Sequence, residues 1–207
     1  QNWWDIISKY SDADMIISTD KLPKHYDFFG VPDSLLLLYK NPKSNIVSWC
    51  RRKFNKPSSG KYIFTNDEID MGIKWWLEIS RQIVEWVEHQ NREISILSLE
   101  EFAADPKGMT LSLCGWMGVE FDPSSIEYWN RSLHYVGGNH SVRRLESSRH
   151  FYRRITVDDR WEGHLSSRDI GKIDDHDEIN QIMARIENIS SNRSSSRSEE
   201  HTSELQS

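Results

Sequence analysis

Residues 34–42 read Ser-Leu-Leu-Leu-Leu-Tyr-Lys-Asn-Pro, and no other stretch constrains the chain as tightly. A short, uninterrupted apolar run bounded by Asp33 and Asn41 predicts a strand buried on both faces over Ser34–Lys40. Pro42 suits the first position of a following helix, where its missing N–H needs no partner, and Asn41 is a suitable cap. Ile46, Val47, Cys50 and Phe54 then recur at helical spacing. The order is buried strand, tight turn, helix N-terminus.

The rest of the chain alternates in the same way. Asp14–Thr19 (DMIIST) predicts a second buried strand, and Ile94–Leu99 (ISILSL) a third. Asn66–Arg92 is the longest helical pattern, with Ile69, Ile73, Trp76, Leu77, Ile83, Val84 and Val87 on one side, and it is expected to pack across the sheet. Helices are expected over Glu100–Ala104, Pro106–Val119 and Asp177–Ile189. Between the last two, Tyr135–His140 reads as a loop and Thr156–Leu165 as irregular. Alternating strands and helices give an α/β class, a parallel sheet flanked by helices, in one domain over residues 1–190 with no internal repeat.

Composition removes several functions. With 26 Lys and Arg against 32 Asp and Glu, and a net charge of −6, the chain of 207 residues is no basic nucleic-acid binder. The longest aliphatic run, Leu35–Leu38, falls far short of the roughly 20 residues that span a bilayer, so no membrane segment is expected. Cys50 and Cys114 lack disulfide or zinc spacing and read as buried thiols. Most of the nine tryptophans sit at helical spacing and are expected in packing rather than in carbohydrate stacking. The acidic runs Asp158-Asp159 and Asp174–Glu178 read as solvated helix starts, and no metal is expected.

Both ends read as artificial. Gln1 opens the chain without Met or a leader pattern, and the expectation is an amino-terminal cut. Arg197–Ser207, RSEEHTSELQS, resembles the translation of a common sequencing-library adapter and is set aside from fold reasoning. Without it the chain carries 25 basic and 29 acidic residues, a net −4. Residues 191–207 are expected to form a disordered tail, since Ser190–Ser196 is almost devoid of apolar residues.

In open α/β sheets, ligands bind beyond the carboxyl ends of the strands, and a helix N-terminus there favours an anion. Lys40 at such a strand end and Ser48 in the next helix therefore suit a phosphate. The plainer alternative is a solvated strand-end lysine and an ordinary helical serine.

The same segment resembles the 3′-phosphate-binding segment of sulfotransferases that use 3′-phosphoadenosine 5′-phosphosulfate. Lys40, Asn41, Pro42, Lys43 and Ser48 stand at that family's Arg, Asn or Asp, Pro, basic and Ser positions. Ile17–Pro23 resembles the strand end that carries a catalytic Lys or His. Ile96–Pro106 resembles the strand and acidic stretch that follows, with Trp116–Val119 like the family's Gly-containing helix end. His134–Arg143 resembles the Gly-Asn segment with a downstream Arg of carbohydrate-type and bacterial members. The resemblance runs over about residues 14–190.

It implies a P-loop-like parallel sheet flanked by helices, incomplete at the N-terminus, where the Gly-rich 5′-phosphosulfate loop is expected upstream of residue 1. The implied reaction moves a sulfuryl group from 3′-phosphoadenosine 5′-phosphosulfate to a hydroxyl or amine on a small-molecule or carbohydrate acceptor. By itself this stretch is expected to be inactive, and cytoplasmic in a bacterium. Lys21 takes the catalytic position, with Asp20 and His25 as base candidates. Lys40 and Ser48 would hold the 3′-phosphate, and Gly138, Asn139 and Arg143 would complete the nucleotide site. Three departures stand out. Lys40 replaces an Arg, Ser44 stands where Asp is common, and Leu99 stands where Tyr is common. The competing readings are a P-loop nucleotide kinase and a non-enzymatic interaction module using Asn66–Arg92.

Overall fold

The structure, a computed structural model, describes residues 9, 23–31, 33–57, 62–130 and 155–189. The chain divides into two compact units, Gln1–Ile96 with Asp159–Ser207, and Leu97–Asp158. In chain order the elements are α1 (Lys24–Phe29), β1 (Ser34–Tyr39), α2 (Pro42–Lys53), α3 (Asn66–Glu88), β2 (Glu93–Ser98), α4 (Leu99–Ala104), α5 (Pro106–Met117), α6 (Ser167–Asp174) and α7 (177–189). Short 3₁₀ turns cover Pro123–Asn130 and Arg160–Gly163. Among the described residues β1 and β2 form a two-stranded parallel sheet, and the rest is mostly helical. The mixed α/β class holds in that coarse form, without a P-loop-like sheet among those residues. The strand expected over Asp14–Thr19 and the loop over Tyr135–His140 lie outside them.

One expectation about β1 is corrected. Leu35 is buried and Leu37 and Tyr39 pack against the core, whereas Leu36 and Leu38 are 37% and 54% exposed. Successive strand side chains point to opposite faces, and along β1 one face receives the apolar cover. The alternation is therefore real despite four identical residues.

A capping box starts α3: Thr65 Oγ1 accepts from Glu68 N at 3.3 Å, and Thr65 N donates to Glu68 Oε2 at 2.9 Å. This satisfies two groups that a helix end otherwise leaves open. Lys56 lies 2.9 Å from the same carboxylate and, with the cap, holds its pKa below the usual range. Ile69, Ile73, Trp76, Leu77, Val84 and Val87 then form one buried stripe. The helix ends at Glu88, four residues before the expected Arg92, with His89 as its cap.

Its closest packing is with α2 rather than with the sheet. A β-carbon on Gly72 would lie 2.5 Å from Cys50 Sγ and 2.9 Å from Ile46 Cγ2, so the two helices cross where α3 has no side chain. Trp49 on α2 stacks on Trp75 of α3 beside the crossing, with ring centroids 5.3 Å apart.

The C-terminal helices complete this unit. Sequence reading missed α6, although Ser166 and Asp169 form a capping box that announces it. Ile173, Ile179, Ile182, Ile186 and Ile189 are buried in the same core as α2 and α3. Ion pairs join Lys172 to Asp70, Glu178 to Arg81 and Arg185 to Glu88. Partners ascend together along both segments, so α6 and α7 run in the direction of α3. Exposed pairs of this kind contribute little energy each, and the isoleucines carry the docking.

In the second unit, Ser98 caps α4 by accepting from Glu101 N at 3.2 Å, and Asp105 caps α5 by accepting from Gly108 N at 2.9 Å. Gly118 ends α5 in the left-handed region at φ 69°, the C-cap conformation glycine adopts without strain. No residue of α5 is fully buried.

Gly72→Ala is expected to destabilise the protein by about 1–3 kcal/mol, the usual cost of overpacking, despite alanine's better helix propensity. Both obstructing atoms belong to fully buried side chains that have nowhere to move. Thermal unfolding checks this, with an expected loss of roughly 2–4 °C per kcal/mol.

Candidate functional site

The turn from β1 to α2 is where the sequence concentrates its chemistry. β1 ends at Tyr39, Lys40 follows half-buried, and Asn41 Oδ1 accepts from Lys43 N at 2.9 Å while Pro42 opens the helix. Asn45 N donates to Asn41 O at 3.2 Å. With Lys43 N and Asn45 N already bonded, two of the amides at this helix end are satisfied internally. Side chains therefore supply much of what the turn can offer an anion.

Ser44 and Ser48 lie one turn apart on the same face of α2. Ser44 is 3% exposed and Ser48 half-buried, so a hydroxyl pair runs inward from the turn that carries Lys40. Sequence reading took Ser44 only as a missing Asp. Its i, i+4 relation to Ser48 was the signal available.

Lys43 does not point freely at the turn. Its ammonium pairs with Asp174 at the end of α6 and sits 4.9 Å above the ring centroid of Trp161. Its side chain is 14% exposed and that of Asp174 48%. A cavity of about 130 Å³ adjoins these groups, lined by Asn41, Pro42, Lys43, Ile173, Asp174, Ile179, Asn180 and Met183. Asp174 thus belongs to a specific contact rather than to a merely solvated acidic run. Glu178, from the same run, pairs with Arg81.

The other expected residues are placed differently. His25 is half-buried on α1, next to Tyr26, whose ring stacks on Trp86 with centroids 4.8 Å apart. Trp86 lies 14 residues beyond Gly72 on α3, about 21 Å along the axis at 1.5 Å per residue. These contacts anchor α1 and α2 to separate stretches of α3. Asp20, Lys21, Gly138, Asn139 and Arg143 lie outside the described residues.

Cys50 has no catalytic character. It is fully buried, its Sγ donates to Glu68 O at 3.2 Å, and burial, helped by the nearby Glu68 charge, pushes its thiol up to about 12. A thiolate is required for nucleophilic attack, and this site suppresses it. Cys114 is half-buried rather than buried as expected. Tyr62 is likewise pushed up, first by burial, and its ring stacks on His164 with centroids 4.3 Å apart. Among the described residues no group of His, Cys, Asp and Glu is arranged to hold a metal, and no helix is long and apolar enough to cross a membrane.

No family model and no curated protein matches the chain. A solved structure described as "Sulfotransferase Domain from the Curacin Biosynthetic Pathway" is similar to it, with a TM-score of 0.46 and 13% sequence identity. The match covers 73% of this chain and 52% of that one, so the chain spans about half the length of that domain.

Alkylation under native conditions is expected to modify Cys114 well before Cys50, with Cys50 reacting only as the protein unfolds. Peptide mass mapping over time reads the order directly. Equal rates would mean that the α2–α3 crossing opens readily.

Proposed function

We propose that this chain binds 3′-phosphoadenosine 5′-phosphosulfate and contributes to sulfuryl transfer onto a hydroxyl or amine acceptor. One observation carries the reading: a strand ends at Tyr39, Lys40 follows it, a capped helix begins at Pro42, and Ser44 and Ser48 line one face of that helix. Lys40 and Ser48 stand in the order in which the family resemblance has the Arg and Ser of its 3′-phosphate site, with Lys in place of Arg. A dianion is complemented there by an ammonium and hydroxyl donors.

On this reading Lys40 and Ser48 contact the 3′-phosphate, and Gly138, Asn139 and Arg143 complete nucleotide binding. Lys21 stabilises the oxygen on which charge develops as the 5′-phosphate leaves. Asp20 or His25 removes the acceptor proton. Transfer of this kind needs in-line geometry and charge stabilisation at the leaving group more than covalent help from the protein.

Titration calorimetry with adenosine 3′,5′-bisphosphate tests the site. Lys40→Ala is expected to weaken binding by about 1.5–3 kcal/mol, the range for a charged hydrogen bond, and to leave adenosine 5′-monophosphate unaffected. Equal losses for both ligands would remove the 3′-phosphate assignment.

In an enzyme that also carries the 5′-phosphosulfate loop, the expected signature of Lys21→Ala is a fall in kcat larger than any change in nucleotide affinity, because the Lys21 contact strengthens only as charge develops. An unchanged kcat in Lys21→Ala would exclude the role.

A further inference from the structure

The contact between Lys43 and Asp174 has an asymmetry that bears on how the β1–α2 turn meets an anion. Lys43 is the held partner. Its side chain is 14% exposed, its ammonium rests over the Trp161 ring at 4.9 Å, and it belongs to the first turn of α2. Asp174 is the loose one, 48% exposed, at the last position of α6. A carboxylate there faces the negative end of its own helix dipole, and Asp175, Asp177 and Glu178 follow it closely in sequence. Of the two charges, the carboxylate is the one that can leave for water at low cost. The adjoining cavity of about 130 Å³ gives room beside the ammonium when it does.

We propose that Asp174 is an internal counter-ion that occupies Lys43 in the resting protein, and that a phosphate-bearing ligand at the β1–α2 turn displaces it, so that the contact is an autoinhibitory latch. The proposal rests on the reading of that turn as the 3′-phosphate site, and it adds Lys43 as a second cation released only on binding. The exchange replaces one exposed anion by another on the same ammonium. Its strength is therefore set by the pair that must break, which is of the exposed type and weak. Trp161 keeps the ammonium in place throughout, since a cation over an indole face retains its attraction whichever anion is bound. The two remaining polar groups of the cavity are consistent with this division. Asn180 Nδ2 donates to Asp174 O at 2.9 Å, which fixes the backbone of Asp174 and leaves its side chain to move. Asn41 is committed to capping Lys43 N.

The test follows the indole N–H signal of Trp161 by NMR, identified by its loss in Trp161→Phe, during titration with inorganic phosphate at ionic strength held constant with chloride. Phosphate is expected to shift this signal in the wild type. In Asp174→Asn the midpoint should fall at about 2- to 5-fold lower concentration, the factor that an exposed ion pair is worth. Lys43→Ala should abolish the response. Asp174→Ala provides a second neutral variant, and thermal unfolding confirms that each variant is folded. Equal midpoints in the wild type and both neutral variants, or a Trp161 signal indifferent to phosphate, would overturn the latch. A parallel titration compares adenosine 3′,5′-bisphosphate with adenosine 5′-monophosphate. If those two nucleotides behave alike while the phosphate arm responds as expected, the nucleotide reading fails and the latch stands.

Discussion

The crossing of α2 over α3 at Gly72 is the contact on which the rest of the larger unit depends. Cys50 and Ile46 occupy the volume that a side chain on Gly72 would take, and both are fully buried. That fit sets the depth to which α2 sinks against α3. Because α2 follows β1 after only Lys40 and Asn41, the strand end and the helix entrance inherit their positions from the same fit. Site geometry at Lys40, Ser44 and Ser48 is thus tied to the packing of Ile46 and Cys50, which flank Ser48 on α2. Interiors are dense enough that a shift at Gly72 would be transmitted rather than absorbed.

The C-terminal helices reach the same place by another route. Five isoleucines of α6 and α7 enter the core beside α2 and α3, while Lys172, Glu178 and Arg185 meet Asp70, Arg81 and Glu88 along the outside. The apolar contacts supply the energy, and the ion pairs select one register. For Glu88 the Arg185 fork, at 2.9 and 2.6 Å, keeps the carboxyl below its ordinary pKa. That pair therefore supports the folded state above the usual carboxylate range and loses its contribution as pH falls through the lowered value. A register fixed in this way is also what brings Asp174 to Lys43.

What the sequence made legible follows from how local each signal is. Asn41-Pro42 acts over a few residues and the apolar stripe of Asn66–Arg92 repeats at helical spacing, so the starts of α2 and α3 agree with the sequence to the residue. β2 was displaced by a single position, Glu93–Ser98 against Ile94–Leu99. Burial of β1 was misread because four leucines carry no alternation of their own, and which of them is covered depends on helices arriving from elsewhere in the chain. The contacts of Lys43 were invisible for the same reason. Asp174 is 131 residues away, and nothing in an acidic run says which carboxylate will find a lysine. By contrast α6 carries a local signal that the sequence analysis does not use, since Ser166-x-x-Asp169 is the same device that starts α3.

The replacement of Arg by Lys at position 40 acquires a physical meaning beside these contacts. A guanidinium offers a phosphate two parallel hydrogen bonds in a fixed plane, whereas an ammonium offers a compact charge without that planar constraint. On the proposed reading, a turn built on Lys40 alone would therefore bind a dianion with less charge-assisted bonding than an Arg at that position would give. A second ammonium one helical turn away is a direct way to recover the difference, and Lys43 is the residue whose backbone is already fixed there by Asn41. In the proposed latch, the turn is a weaker anion site while Asp174 holds that ammonium. In an acidic chain such a pairing also keeps the Asp174 carboxylate from standing unpaired at the C-terminus of α6, where the helix dipole disfavours it.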